Sequence, residues 1–257
     1  MQQTSFELKV QRDIKYLKYY AVIVTALLIC VGFFAFTIKN NNSRFKEITV
    51  ERINITEPNG QPRLVISNKE RSPEVLMYGK GYTPPIPGHN RPGIIFYNDE
   101  GTENGGLVFM GHTNKDGRYL ATGHLSFDQY NQNQTLYLQY ADENGIQTTG
   151  LHVDEWQQSP PFWQFRASYK NAQQLPAGKE KDSILKQLME PKQGQRAFAQ
   201  RVFVGKDEHK TAMVMLADQK GTPRIQLLVD SSGNPKLNFL DERGHITYSL
   251  PAKPTLR

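Results

Sequence analysis

The stretch GHLSFDQY, residues 123–130, carries the residue types that most readily do chemistry: His124, Ser126 and Asp128 stand at i, i+2 and i+4. On a strand these three share one face, with Leu125 and Phe127 on the other. A hydrolase would use them as base, nucleophile and orienter. A triad, however, needs groups that converge from different directions beside an oxyanion site. Neighbours on one strand stand side by side, and a solvated strand face accounts for their spacing. Four histidines directly follow glycine, at His89, His112, His124 and His245. A metal site would group His112 with His124 across a hairpin, near Asp116 or Asp128. The turn at Asn114–Gly117 sets His112 nearer Leu120 than His124, so the expectation is no metal, no cofactor and no catalytic residue. The chain has no nucleophile elbow, P-loop, HExxH or dinucleotide fingerprint.

The densest aromatic patch outside the apolar N-terminal run is Trp156, Phe162, Trp163, Phe165 and Tyr169, interrupted by Pro160–Pro161. These five are the candidate binding residues. As a platform they would stack on sugars or anchor a protein partner; as a plug they would seal one end of a sheet. They belong to an aromatic and helical insert, 155–195. A short helix is predicted near 179–190, with Ile184, Leu185, Leu188 and Met189 on its apolar face, Gly178 before it and Pro191 ending it.

What must position these groups begins with an anchor. Residues 20–38, YAVIVTALLICVGFFAFTI, are uncharged. As a helix they span about 28 Å, close to the roughly 30 Å apolar core of a bilayer. Lys15 and Lys18 precede the run, Lys39 follows it, and Tyr16, Tyr19 and Tyr20 sit where an aromatic belt lies. The lipid bilayer is thus one expected partner. LLIC at 27–30 has Ile29 where a lipoprotein box needs a small residue, and no small-x-small site follows the run, so an uncleaved signal anchor is expected. Phe6, Val10, Ile14 and Leu17 line one face of a helix leading into it. A cytoplasmic tail, 1–19, the anchor, a polar spacer, 39–47, and a large extracytoplasmic domain, 48–257, complete the expected layout in the cytoplasmic membrane. Cys30, the sole cysteine, lies within the anchor, which excludes an internal disulfide and a cysteine metal site. Of the net charge of +6, the tail's four basic and two acidic residues account for +2. The remainder is spread without a basic stripe, and nucleic acid is not expected as a partner.

From Ile48 the pattern alternates with period 2, and it repeats. TEPNGQPRLVIS is answered by ADQKGTPRIQLLVD, with Gly60 on Gly221, Pro62 on Pro223, Arg63 on Arg224 and Leu64 on Ile225. RPGIIFYNDEG is answered by NPKLNFLDERG, with Pro92 on Pro235, Phe96 on Phe239, Gly101 on Gly244 and Leu107 on Leu250. The repeat halves are 48–108 and 211–250, the first enlarged by a Pro/Gly-rich excursion near residues 67–90. Glycines at the turns imply φ > 0, and strands between them imply hairpins. The fold class is all-β: an antiparallel meander of about ten strands, closed as a barrel, propeller or sandwich, or paired between subunits.

With the anchor, ITVERINITEPNGQPRLVISN, RPGIIFYNDEGTENGGLVF and LSFDQYNQNQT on the page, the chain resembles a group of uncharacterised bacterial single-pass membrane proteins with an extracytoplasmic β-repeat domain. The resemblance implies a bacterial envelope setting and brings neither an activity nor a functional residue. The expected function is a membrane-tethered, non-enzymatic binding or assembly module with a protein or glycan partner, homo-oligomerisation included. The alternative is an envelope hydrolase acting on glycan or peptide.

Overall fold

The computed structural model describes residues 5–37, 44–81, 90–190 and 196–251. The chain divides into two compact units, Met1–Thr49 and Val50–Arg257. In the first, helix α1 runs unbroken over Ser5–Thr37, 33 residues or about 50 Å. The amphipathic stretch and the apolar run therefore form one helix, since nothing between them interrupts backbone hydrogen bonding. Its segment Phe6–Phe33 is long and apolar enough to cross a membrane. Residues 38–43 lie outside the described residues, and with them most of the polar spacer.

The second unit is built on one antiparallel sheet of twelve strands in meander order. β1 (Arg52–Thr56) and β2 (Pro62–Ser67) come first, then a small separate ribbon of β3 (Leu76–Met77) and β4 (Lys80–Gly81). β5 (Gly93–Tyr97) returns to the sheet beside β2, followed by the long strands β6 (Glu103–Thr113), β7 (Tyr119–Asp128), β8 (Gln134–Glu143) and β9 (Ile146–Trp156). Two helices intervene, α2 (Phe162–Gln174) and α3 (Lys179–Met189). The sheet resumes with β10 (Phe198–Lys206), β11 (Ala212–Ala217), β12 (Pro223–Val229), β13 (Pro235–Leu240) and β14 (Ile246–Leu250). β1 and β14 are the two edges, so among the described residues the sheet is open and not a closed barrel.

One turn design explains the meander. In the turns at 57–61, 98–102, 114–118, 207–211, 218–222, 230–234 and 241–245, the first amide donates to the fifth carbonyl and the fourth amide to the first carbonyl. The fourth position needs φ > 0, which Gly60, Gly101, Gly117, Gly221, Gly233 and Gly244 supply at little steric cost; Lys210 holds the same place at φ 64°. At Asn98, Asp207, Asp218, Asp230 and Asp241 the side-chain Oδ1 accepts from the third and fifth amides, closing the loop from inside. Short turns of one design fix strand register.

The two repeat halves consequently match in three dimensions. β1, β2, β5 and β6 correspond to β11, β12, β13 and β14, and their cross-strand pairs correspond one to one: Ile53 with Ile66 as Val214 with Leu227, and Ile94 with Leu107 as Leu237 with Leu250. Register breaks fall at equivalent places, after Ile55 and after Leu216. Arg63 reaches Glu57 (3.1 Å) and Arg224 reaches the equivalent Asp218 (3.5 Å), tying each strand to its preceding turn.

The insert contains two helices, where the sequence pattern predicts one. Lys179–Met189 agrees with the predicted helix; Phe162–Gln174 is additional. Pro161 occupies its N-cap, and thirteen residues without glycine or proline follow, which is a legible helix start. The aromatic content of the segment obscured the i, i+3, i+7, i+10 spacing of Phe162, Phe165, Tyr169 and Ala172. Lys181 Nζ donates to the carbonyls of Gln173 (2.6 Å) and Leu175 (3.3 Å), holding the end of α2 against α3. A buried apolar cluster lies on β2, β5 and β6: Val65, Ile95, Tyr97 and Val108, with Leu76 of the ribbon packed on them. Each such side chain contributes about 1.5–3 kcal/mol on burial.

Candidate functional site

β7 shows how the two faces of the sheet differ. Ser126 is 4% exposed, while its neighbour Phe127 is 51% exposed. The polar alternation of GHLSFDQY therefore points inward and the apolar alternation outward. This corrects the expectation of a solvated polar face: the ribbon, the loop around Arg91 and the α2 segment cover the side that carries His124, Ser126 and Asp128.

The covered face holds a polar cluster. Glu103 lies close enough to Asp128 for its charge to bear on it, and burial is the main reason both resist ionisation. Glu103 is pushed up to about 7, with Arg91 opposing the shift, and Asp128 to about 8, with Glu103 adding to it. Burial lowers His124, and so, to a lesser degree, do the Arg91 and His152 charges. Next along the sheet, the rings of His124, Tyr137, His152 and Phe203 follow one another at centroid distances of 5.3, 4.4 and 4.9 Å. Gln200 Nε2 donates to His152 Nδ1 at 2.9 Å, and burial lowers the pKa of that imidazole. Asp154, raised by burial to about 6, sits beside the Tyr137 hydroxyl. The pocket between Arg91, Glu103, His124, Ser126 and Gln134 measures only about 20 Å³, room for one water molecule. Two carboxylates with such titration resemble an acid–base pair, but the space beside Glu103 is too small for a glycan or peptide.

His112 and His124, the pair a metal site would need, stand apart. His112 lies opposite Leu120 and His124 opposite Val108, four residues apart along the strand, or about 13 Å. Among the described residues no three His, Cys, Asp or Glu side chains gather as a ligand set. His89 lies outside the described residues.

Four of the five aromatic candidates, Trp156, Phe162, Phe165 and Tyr169, come together where α2 meets the ends of β8, β9 and β10. Trp156 packs edge-on against Phe162 (5.3 Å) and Phe165 (6.2 Å) and tilted against Phe198 (4.8 Å). Its Nε1 donates to the Gln134 carbonyl at 3.0 Å. Phe165 is buried and stacks on Tyr169, and Phe162, Trp163 and Tyr169 are half-buried. These four rings face one another, the arrangement of side chains that close an end of a sheet, whereas the Trp163 Nε1 is buried without a hydrogen-bond partner among the described residues.

The open face is the reverse of the covered one. A line of aliphatic side chains, one per strand, crosses the whole sheet. Ile53, Ile66, Ile94 and Leu107 occupy the first repeat unit. Leu125, Leu138, Leu151 and Val204 continue it through the centre. Val214, Leu227, Leu237 and Leu250 complete it. Leu138 is 50% and Leu227 54% exposed. A parallel row runs Phe127, Leu136, Val153, Val202, Leu216, Ile225, Phe239 and Tyr248. At the centre, Leu107, Phe109, Leu125, Leu138, Tyr140 and Val204 line a groove of about 580 Å³. Glycine makes this possible: Gly123 leaves open space between Phe109 and Tyr140, and a Cβ on Gly150 would collide with the Phe203 ring behind it. Such a surface exceeds the scattered apolar exposure usual for a monomer.

Sequence reasoning missed this face, although a signal existed. Turn length fixes register, so the aliphatic positions on either side of each turn could have been aligned strand by strand. Comparison with family models and with curated proteins found no match for this chain, and the functional argument therefore rests on geometry.

Proposed function

We propose that the protein is a membrane-tethered, non-enzymatic assembly module of the bacterial envelope that binds a protein partner on its open face. The aliphatic line that crosses every strand of the sheet carries this reading: a surface so continuous and so poor in charge gains most by being covered. Helix α1 supplies the tether in the cytoplasmic membrane, with the tail inside and the β-domain outside, in keeping with the envelope setting of the group the sequence resembles. The hydrolase alternative draws on the raised carboxylates Glu103 and Asp128, but the roughly 20 Å³ space beside Glu103 argues against a substrate. The aromatic residues Trp156, Phe162, Trp163, Phe165 and Tyr169 act in this reading as support for the sheet rather than as the contact surface.

The test is the native mass of the full chain extracted in mild detergent from its own membranes. The wild type should run above the 29.3 kDa monomer, Leu138→Glu with Leu227→Glu should reduce it to the monomer, and Glu103→Gln should leave it unchanged. A wild-type protein that runs only as a detergent-bound monomer would overturn the reading.

A further inference from the structure

We infer that the occupant of the open face is a second copy of the same face, giving a two-layered sandwich of two tethered chains. This rests on the assembly reading above and names its partner. Area is the first argument. Twelve strands at about 4.8 Å apart span about 53 Å, and three residue rows along the strands cover about 20 Å. The face thus offers about 1,000 Å², against the roughly 800 Å² per partner of a stable protein interface.

Symmetry is the second argument. An isologous dimer requires one patch that complements itself. Here the two ends of the sheet carry equivalent aliphatic residues in equivalent register, Ile66 with Ile94 at one end and Leu227 with Leu237 at the other. A two-fold axis parallel to the strands lays the first unit of one copy over the second unit of the other, so aliphatic meets aliphatic along the whole line. Aligned sheets packed in this way stand about 10 Å apart. The centre supplies both halves of an interlocking contact: Phe109 and Phe127 project, at 57% and 51% exposure, beside the roughly 580 Å³ groove.

Charge is the third. In the rows bordering the aliphatic line the charged side chain is Lys206, held by Gln147 Oε1 at 3.2 Å. Arg201 and Glu155 pair with each other at the margin. Among the described residues Lys206 is the one charge in these rows, too little to make the cationic rim that holds a protein face on anionic lipid. Two tethers in one membrane also raise the effective concentration of each copy for the other.

The experiment places the photo-crosslinking amino acid p-benzoylphenylalanine at Phe127 in the full chain, in its native membrane, with the same residue at Tyr130 as an exposed control outside the face. Light should yield an adduct of twice the chain mass from position 127 and none from 130. Leu138→Glu, on a side chain already half in solvent, should lower the adduct at least about tenfold, as loss of a central interface residue does, with an unchanged melting temperature for the tethered monomer. An adduct from position 127 to a different protein alone would overturn the second copy and leave the assembly reading standing. An adduct to lipid, or none, would overturn both.

Discussion

The two faces of the sheet break the usual rule in opposite ways. The covered face buries carboxylates, imidazoles and a tyrosine beside the small apolar cluster of Val65, Ile95, Tyr97 and Val108; the open face leaves leucine, isoleucine, valine and phenylalanine in solvent. On a half-covered antiparallel sheet the apolar face normally packs on the core. The difference teaches that the fold of one chain accounts for only one side of its sheet. On the covered side Gln200 bonds His152 and rings seal the end of the sheet, while His124 Nε2, Asp128 Oδ1 and Asp154 Oδ1 are buried without a hydrogen-bond partner among the described residues. The open side makes sense once a partner is counted.

Truncation on the two faces should separate them most sharply. Trp156→Ala removes a ring that contacts three others and donates to a carbonyl, and should cost about 3–5 kcal/mol in denaturant unfolding. Leu138→Ala on the open face should cost the monomer less than about 1 kcal/mol. Equal losses in dilute monomer would end the distinction between covered and open.

The turns that set the register give the next largest effect. Gly221 sits at φ 74° with a virtual Cβ only 3.4 Å from Ala199, so Gly221→Val should cost about 1–3 kcal/mol. An unchanged melting temperature would show that the turns do not constrain the sheet.

Buried carboxylates give the covered face a pH signature. Glu103 and Asp128 have folded values raised to about 7 and about 8, so the native state holds protons that the unfolded chain has already released. Their contribution is intact below about pH 4 and is lost as pH rises through 7 and 8. From pH 5 to pH 8.5 the melting temperature should fall, and Asp128→Asn should flatten that fall by about 3 °C. A profile identical to wild type would place Asp128 in solvent and undo the inverted reading of β7.

The smallest effect is a gain. Lys210 is the one non-glycine at the fourth position of these turns, at φ 64°, and Lys210→Gly should stabilise by about 0.5–1 kcal/mol. A loss of stability would mean that the lysine side chain supports the turn.

By itself the sequence determined what is local. The N-terminal helix follows from an uninterrupted apolar run, the turns from glycine and aspartate at set positions, and the repeat from two passages whose turns match residue for residue. Helix α3 was readable from Gly178 and its apolar face; α2 was readable in principle from Pro161, but its rings read as a patch. His112 falls opposite Leu120 because a turn of known length places it there. What only the tertiary structure decided is which side of the sheet is inside. Period-2 alternation states that Ser126 and Phe127 face opposite ways, and no local interaction states which of them meets another layer. That depends on where the ribbon and the α2 segment pack, contacts made between residues tens of positions apart. The polar cluster, the open aliphatic line and the groove between Phe109 and Val204 all follow from that one long-range choice.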